Sequence, residues 1–313
     1  MVYNNILEAV GNTPMIKLNS LVGEDSAEIF VKFEGLNVGG SIKTRTALAM
    51  IERAESQGLL NKDSVIVEPT SGNQGIGLAL IGAVKGYRTR IIMPDSVSEE
   101  RRKLVEHYGA EVILVHDGGN IGDCIEECVQ IAMRLRSEDP RVFVPQQFEN
   151  TANPEVQREQ TGAEILEQVG GPIHGFCSGI GTGGTITGIG QALKAANPDI
   201  EIWAVEPENA AILSGGSVGT HLQMGIGDGV IPKILDKDIY SQICIVRDED
   251  AIKISKELAR REGIMCGISS GTNVCAAISL AKKLGPGKTV VTVLPDTAER
   301  YFSTPLFRDV RYW

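Results

Sequence analysis

The chain has 313 residues, a formal net charge of -10 and a pI near 5.1, with 42% hydrophobic and only 5% aromatic residues. That length accommodates two ordinary domains or one large α/β unit, and an acidic balance without any run of lysine or arginine offers no footprint for nucleic acid. The opening MVYNNILEAVGNTP lacks the basic start and apolar core of a signal peptide, and IGLALIGAVKG is interrupted by Lys85 before it could span a bilayer, so a soluble cytoplasmic protein is expected.

In chain order, β-rich runs alternate with amphipathic ones. EIFVKFE (28–34) precedes the glycine-rich turn NVGGSIKTRTAL, where Lys43 stands at the start of a helix. SVIVEPT (64–70) runs into the loop EPTSGNQG and the helical GIGLALIGAV. TRIIMP (89–94), SEERRKLVEHYG (98–109), EVILV (111–115), GDCIEECVQIAMRLRSE (122–138) and RVFVPQ (141–146) continue the alternation. After the turn-rich QQFENTANPE (146–155) come the strands HGFCSGI, EIWAVEP, ICIVRDE and TVVTVLPD, with the helices EDAIKISKELARREG and TNVCAAISLAKKLG before the last. Helical segments return apolar residues every three to four positions, strands at every one or two. The pattern predicts an α/β fold of two doubly wound domains with mostly parallel sheets. The boundary falls in 146–155, giving an N-terminal domain 1–148 and a C-terminal domain 149–313, with an early strand free to join the second. Ligands of such sheets bind beyond the carboxyl ends of the strands.

The six cysteines are scattered with no C-x-x-C pair, so inert thiols are expected and no metal site. Two motifs invite readings that the rest of the chain opposes. Gly179 to Gly184 satisfies G-x-G-x-x-G, with Glu206 ending the next strand, as in a nicotinamide-dependent oxidoreductase. Its narrower physical content is a phosphate cradle of backbone N–H groups at a helix N-terminus, or a structural turn. Gly267 to Gly271 satisfies G-x-S-x-G, but a hydrolase of that type needs a histidine after the serine, and the last histidine is His221. Ser269 is therefore read as a helix-opening cap or a ligand-binding hydroxyl.

Three loops must then be explained together: the amine of Lys43, the hydroxyl- and amide-rich loop Thr70 to Gln74, suited to a carboxylate, and the phosphate-type loop Gly181 to Thr185. An amine for a Schiff base, a single-phosphate cradle and a carboxylate cradle are what an amino-acid enzyme using pyridoxal 5'-phosphate needs. A catalytically idle binding protein would keep the same loops.

GNTPMIKL, GGSIKTR, EPTSGNQGI, QQFENTANP, SGIGTGGTITG, GISSGTNV and VLPDTAERY together resemble the fold-type II pyridoxal phosphate enzymes of the cysteine synthase (O-acetylserine sulfhydrylase) and cystathionine β-synthase group, akin to the tryptophan synthase β fold. The resemblance implies that Lys43 holds the cofactor covalently and shuttles the α-proton, and that Asn73 meets the cofactor's phenolic oxygen. By the same likeness Thr70, Ser71, Gly72, Asn73 and Gln147 grip the substrate carboxylate. It implies that Gly181, Thr182, Gly183, Gly184 and Thr185 hold the phosphate and that Ser269 faces the pyridine nitrogen. A neutral hydroxyl there makes the ring a weaker electron sink, which favours β-elimination through an aminoacrylate.

The sequence departs from the family pattern at Thr44, where an aspartate is common, at Gln74 beside the carboxylate site, and at Gln157, where a histidine is usual. The fourth departure is Asp228, in MGIGDGVIP, where the family has a small apolar residue on a loop facing the cleft. A desolvated carboxylate there is a candidate general base; the competing reading is a solvated aspartate capping a turn. The expectation is a lyase or transferase of cysteine metabolism acting on O-acetyl-L-serine, L-serine or L-cysteine. Asp228 points to water addition, converting L-cysteine and water to L-serine and hydrogen sulfide; O-acetylserine sulfhydrylase and cystathionine- or lanthionine-type β-synthase are the alternatives. The resemblance further implies a homodimer; without extra segments at either end, no haem or regulatory domain is expected.

Overall fold

β-branched runs become strands wherever both of their faces can be covered. The computed structural model describes residues 2–308. Its larger sheet has the order β1 (Met15–Lys17), β2 (Glu28–Phe33), β10 (Thr289–Leu294), β7 (Gly175–Gly179), β8 (Glu201–Pro207), β9 (Gln242–Val246). Only β1 and β2 pair antiparallel; the remaining pairs are parallel. The smaller sheet has the order β5 (Glu111–Val115), β4 (Arg88–Pro94), β3 (Val65–Pro69), β6 (Val142–Phe143), all parallel. The first two strands of the chain thus belong to the sheet otherwise built from residues beyond 174.

Parallel strands need helical crossovers, and these clothe both faces of each sheet. On the smaller sheet, Ile66, Ile91 and Met93 pack with α1 (Lys43–Ser56), α2 (Asn73–Lys85) and α3 (Glu99–His107). Their neighbours Val65, Val67 and Ile92 point the other way, toward Cys124, Cys128 and Ala132 of α4 (Ile121–Glu138). The larger sheet divides likewise. Phe176, Ile202, Val291 and Val293 meet α6 (Ala163–Val169) and α7 (Gly184–Ala196), which follow the short α5 (Ala152–Val156). Cys177, Trp203, Val290 and Leu294 meet α8 (Asp248–Glu257) and α9 (Ile268–Leu284). Period-two alternation between two buried faces explains why these strands read as continuous apolar runs.

Some predicted bounds shift for local reasons. RVFVPQ pairs only at Val142 and Phe143, because Pro145 has no N–H to donate and Gln146 turns away at φ 60°. Helix α4 starts one residue before the predicted GDCIEECV run, since Asn120 caps it by accepting from the N–H groups of Gly122 and Asp123. The segment 146–155 runs into α5, which begins at Ala152, and a π-helical turn, Gln157–Gly162, joins α5 to α6.

All six cysteines are free thiols, and burial pushes those of Cys128, Cys177 and Cys266 up to about 12. Among the described residues no cluster of three or more side chains is arranged to hold a metal. No helix among them is long and apolar enough to cross a membrane.

Candidate active site

The carboxyl ends of β3, β7 and β10 open on one cavity between the two sheets. It is lined by Lys43, by Thr70, Ser71, Asn73 and Gln74, by Gln147, by Gly181, Thr182, Gly183 and Thr185, and by Asp228 and Ser269. The three loops are therefore one site. Gly72 and Gly184 do not line it; their N–H groups donate to the hydroxyls of Thr70 and Thr182, which do. Thr44, although next to Lys43, does not line it either: its buried hydroxyl packs at the Gly39 turn and has no hydrogen-bond partner among the described residues.

Lys43 opens α1 and is aimed by its neighbours. The Ile42 N–H donates to Pro295 O at 2.9 Å, and the Lys43 N–H donates to Ser41 Oγ at 3.3 Å. Burial pushes the Lys43 ammonium down, opposed by the charges of Asp228 and Asp296. A lysine so desolvated supplies the neutral amine that attacks a carbonyl carbon.

The carboxylate loop depends on Gly72, whose φ of 141° is open to glycine alone, and whose added Cβ would lie 2.3 Å from Arg101 Cδ. Its N–H donates to Thr70 Oγ1 at 3.1 Å. Gln74 is 1% exposed, and neither its Oε1 nor its Nε2 has a protein partner among the described residues. A buried amide unpaired on both atoms at a cavity wall is the signature of a missing polar ligand. Gln147 is carried in by Glu68, a residue whose part the sequence did not reveal. Its carboxylate accepts from the N–H groups of Gln146 and Gln147 at 2.9 and 2.8 Å, and Gln147 Nε2 donates to Pro69 O at 3.2 Å. Burial pushes the Glu68 carboxyl up to about 8, against the pull of those two N–H groups.

Asn73 is held more firmly than its motif foretold. Its Nδ2 donates to Asp296 Oδ2 at 2.6 Å, and its Oδ1 accepts from Arg300 Nη1 at 2.6 Å. Asp296 also accepts from the Tyr301 hydroxyl at 2.7 Å, and that hydroxyl accepts from Arg101 Nη2 at 2.7 Å. The amide orientation is thereby fixed, and the second N–H of Asn73 is left for a ligand. Asp296, Arg300 and Tyr301 lie in VLPDTAERY, a segment whose pattern gave no hint of individual roles.

The phosphate-type loop leads into α7, whose N-cap, Gly183, has φ 78°. Helix N-termini present unpaired N–H groups and a positive dipole end. Ser269 lies in the first turn of α9 at the cavity wall. The cap is Gly267 and no side chain caps this helix, so of the two readings of Ser269 the cap is excluded and the ligand-facing hydroxyl remains. Glu206 is spoken for: it accepts from the N–H groups of Leu213 and Ser214 and from the Ser214 hydroxyl, and is not free for a ribose.

Asp228 is buried, not the solvated turn cap of the competing reading. Burial pushes its carboxyl up, countered by His221 and Lys43, a hydrogen bond to Ser71, and Arg101. It lines both the central cavity and an adjoining one reaching out past His221 and Met224. A carboxyl so placed can exchange a proton with a molecule entering from that side. Gln157, the remaining departure, is fully buried beside α1, away from the cavity.

The residues fit pyridoxal phosphate: a desolvated amine, a glycine-rich helix N-terminus and a hydroxyl from α9 border one cavity, beside an unpaired buried amide suited to the substrate. Comparison with known proteins agrees. The family described as "Pyridoxal-phosphate dependent enzyme" matches residues 6–296. A cysteine synthase of Staphylococcus aureus is 48% identical over 305 residues, covering 97% of each chain. A lysine-to-alanine variant of O-ureido-L-serine synthase, solved with O-ureido-L-serine bound, superposes with TM-score 0.95 at 39% identity, over 100% of this chain and 96% of that one. A hydrogen sulfide-producing enzyme of Fusobacterium nucleatum superposes with TM-score 0.91 at 40% identity, over 96% of this chain and 100% of that one.

Proposed function

We propose a reaction for a chain that belongs to the pyridoxal-phosphate dependent enzymes, within their cysteine synthase group: β-elimination of sulfide from L-cysteine followed by addition of water, giving L-serine and hydrogen sulfide. The observation that carries this reading is the buried Asp228 carboxyl at the wall between the inner cavity and the outer one.

The cofactor, when bound, supplies an electron sink that lets the Cα proton and the β-substituent leave. Everything else is work for the chain. Lys43 would hold the cofactor's aldehyde carbon, and its freed amine takes the proton from Cα. Thr70, Ser71, Gln74 and Gln147 hold the α-carboxylate so that the Cα–H bond faces Lys43. Thr182, Gly183 and Thr185 hold the phosphate, and Ser269 the ring nitrogen. Asp228, with its proton affinity raised by burial, takes a proton from water as the oxygen adds to the β-carbon; Lys43 returns its proton to Cα, and the proton on Asp228 passes to solvent, where it balances the sulfide that left as HS⁻. Atoms balance: one cysteine and one water give one serine and one hydrogen sulfide. The assembly we propose is a cytoplasmic homodimer.

A second reading, O-acetylserine sulfhydrylation, is favoured by the 48% identity to a cysteine synthase. The two part at Asp228. For water addition, Asp228→Asn retains a burst of sulfide of about one per site while serine falls at least about a hundredfold, the scale of losing a general base. Serine output within a factor of two of the parent would refute the role, and an enzyme that makes cysteine from O-acetylserine and sulfide but leaves L-cysteine untouched would establish the second reading.

A further inference from the structure

Asn153, on α5, does not itself line the cavity, yet it is 2% exposed and joins two of the site's loops from behind. Its Nδ2 donates to Gln147 O at 2.9 Å and to Thr182 Oγ1 at 2.9 Å, which uses both amide hydrogens. The approach is so close that a Cβ on Gly184 would lie 2.0 Å from Asn153 Oδ1. Helix α7 can begin there only because residue 184 has no side chain.

The direction of these bonds is set at the substrate-side loop, because Gln147 O is a backbone carbonyl that can only accept, so Nδ2 of Asn153 must face it and Oδ1 must face Thr46. Thr46 Oγ1 therefore donates to Asn153 Oδ1 at 3.4 Å and accepts from Gln157 Nε2 at 3.2 Å. That leaves Gln157 Oε1 to accept from Thr161 Oγ1 at 2.7 Å. Thr182 Oγ1 then accepts from Asn153 and, at 3.4 Å, from the Gly184 N–H. A threonine hydroxyl has two acceptor lone pairs and one proton. With both lone pairs taken, the Thr182 hydroxyl is left as a donor only, at the wall of the cavity. Thr46, Asn153, Gln157 and Thr161 are all buried, and no group in the chain titrates, so the polarity does not change with pH.

We propose that Asn153 is a positioning residue at the end of a one-way hydrogen-bond chain, Thr161 to Gln157 to Thr46 to Asn153. It turns Thr182 into an obligate donor for the cofactor's phosphate and, through Gln147 O, ties that grip to the substrate-carboxylate site. The proposal rests on the cofactor assignment but not on water addition, so its readouts involve no turnover.

The test uses holoenzyme and two measurements: the half-time of cofactor loss during dialysis, followed by absorbance, and spectral titration with L-alanine, an amino acid without a β-leaving group. Asn153→Asp puts acceptors against Gln147 O and draws the Thr182 proton away from the phosphate. Cofactor loss should speed up about tenfold or more and the L-alanine half-saturation should rise about tenfold, the scale of one or two hydrogen bonds. Thr46→Val, which removes the donor that anchors Asn153 Oδ1 and touches neither loop, should move both readouts the same way by about threefold. Arg53→Ala breaks the peripheral pairing of α1 with Thr151 and Glu155 and should leave both readouts unchanged even where it lowers Tm. Parental values in either Asn153→Asp or Thr46→Val overturn the proposal, as does an equal change in Arg53→Ala. If Asn153→Asp does not fold, Thr46→Val decides alone. A parent protein that binds no pyridoxal phosphate would overturn the cofactor assignment instead.

Discussion

Glu68 sits where burial and hydrogen bonding pull a carboxyl in opposite directions, and burial wins. Its proton affinity rises from 4.5 to about 8, so between those values the folded protein holds a proton that the unfolded chain releases. The resulting stability is complete below about pH 4.5 and is lost as pH rises through about 8. Relative to Glu68→Gln, the unfolding free energy of the parent should therefore fall with pH across this window by up to about 1.4 kcal/mol per unit. Parallel pH profiles in denaturant titrations would contradict it. The same substitution opposes an amide NH2 to one of the N–H groups that carry Gln147. With about 1–3 kcal/mol at stake, the KM for the amino acid should rise at least about fivefold while kcat falls less; a change confined to kcat would count against a carboxylate-positioning role.

In the proposed reaction helix N-termini do the binding, and their glycines are the elements' weakest tolerance. Gly72→Ala demands φ 141° of a residue with a Cβ and drives that atom into Arg101. A loss of about 1–3 kcal/mol in stability is expected, with L-alanine binding weakened more than cofactor retention; an alanine variant with parental binding would mean that the loop's backbone is not what grips the carboxylate. The strands and longer helices were legible because apolar periodicity is local. Lys43, the TSGNQG loop and the GTGGT loop were legible as motifs, since a phosphate or carboxylate cradle needs small residues in sequence order. The three-residue β1 carries too little pattern to be seen, and α5 with its π-helical turn hides in ANPEVQREQTG, where proline and polar residues read as a turn. Glu68, Asp296 and Arg300 could not be found in sequence, because each acts on a loop far away in the chain. Glu68 reaches 78 and 79 residues forward to Gln146 and Gln147, and Arg300 reaches back 227 to Asn73.

At the scale of the molecule, the start of α1, two residues past Lys43, is pinned by a buried ionic cluster. Arg45 meets both oxygens of Glu34, at the end of β2, and both of Glu164, on α6, and Glu164 also pairs with the buried Lys32 at 2.7 Å. Burial raises the Glu164 carboxyl, but Arg45 and Lys32 outweigh it and hold the group down at about 2, from 4.5. Its stabilisation is present above about pH 4.5 and is lost as pH falls toward 2, amounting to about 3 kcal/mol. Glu164→Ala should remove that acid sensitivity and cost about 3–5 kcal/mol at pH 7 by stranding the buried Lys32 and leaving Arg45 with Glu34 alone; a loss under about 1 kcal/mol in denaturant unfolding would show the cluster to be dispensable. These ties fasten α1, which opens with Lys43, to β2 and α6 on the larger-sheet side, while Ala47, Ile51 and Ala54 of the same helix pack in the core of the smaller sheet. The most direct test of the reaction is incubation of the holoenzyme with L-cysteine alone in ¹⁸O-labelled water. Sulfide and L-serine should form in equal amounts, with the label in the serine hydroxyl. Sulfide accompanied by pyruvate and ammonia, or no turnover of L-cysteine beside efficient synthesis of it from O-acetylserine and sulfide, would contradict water addition.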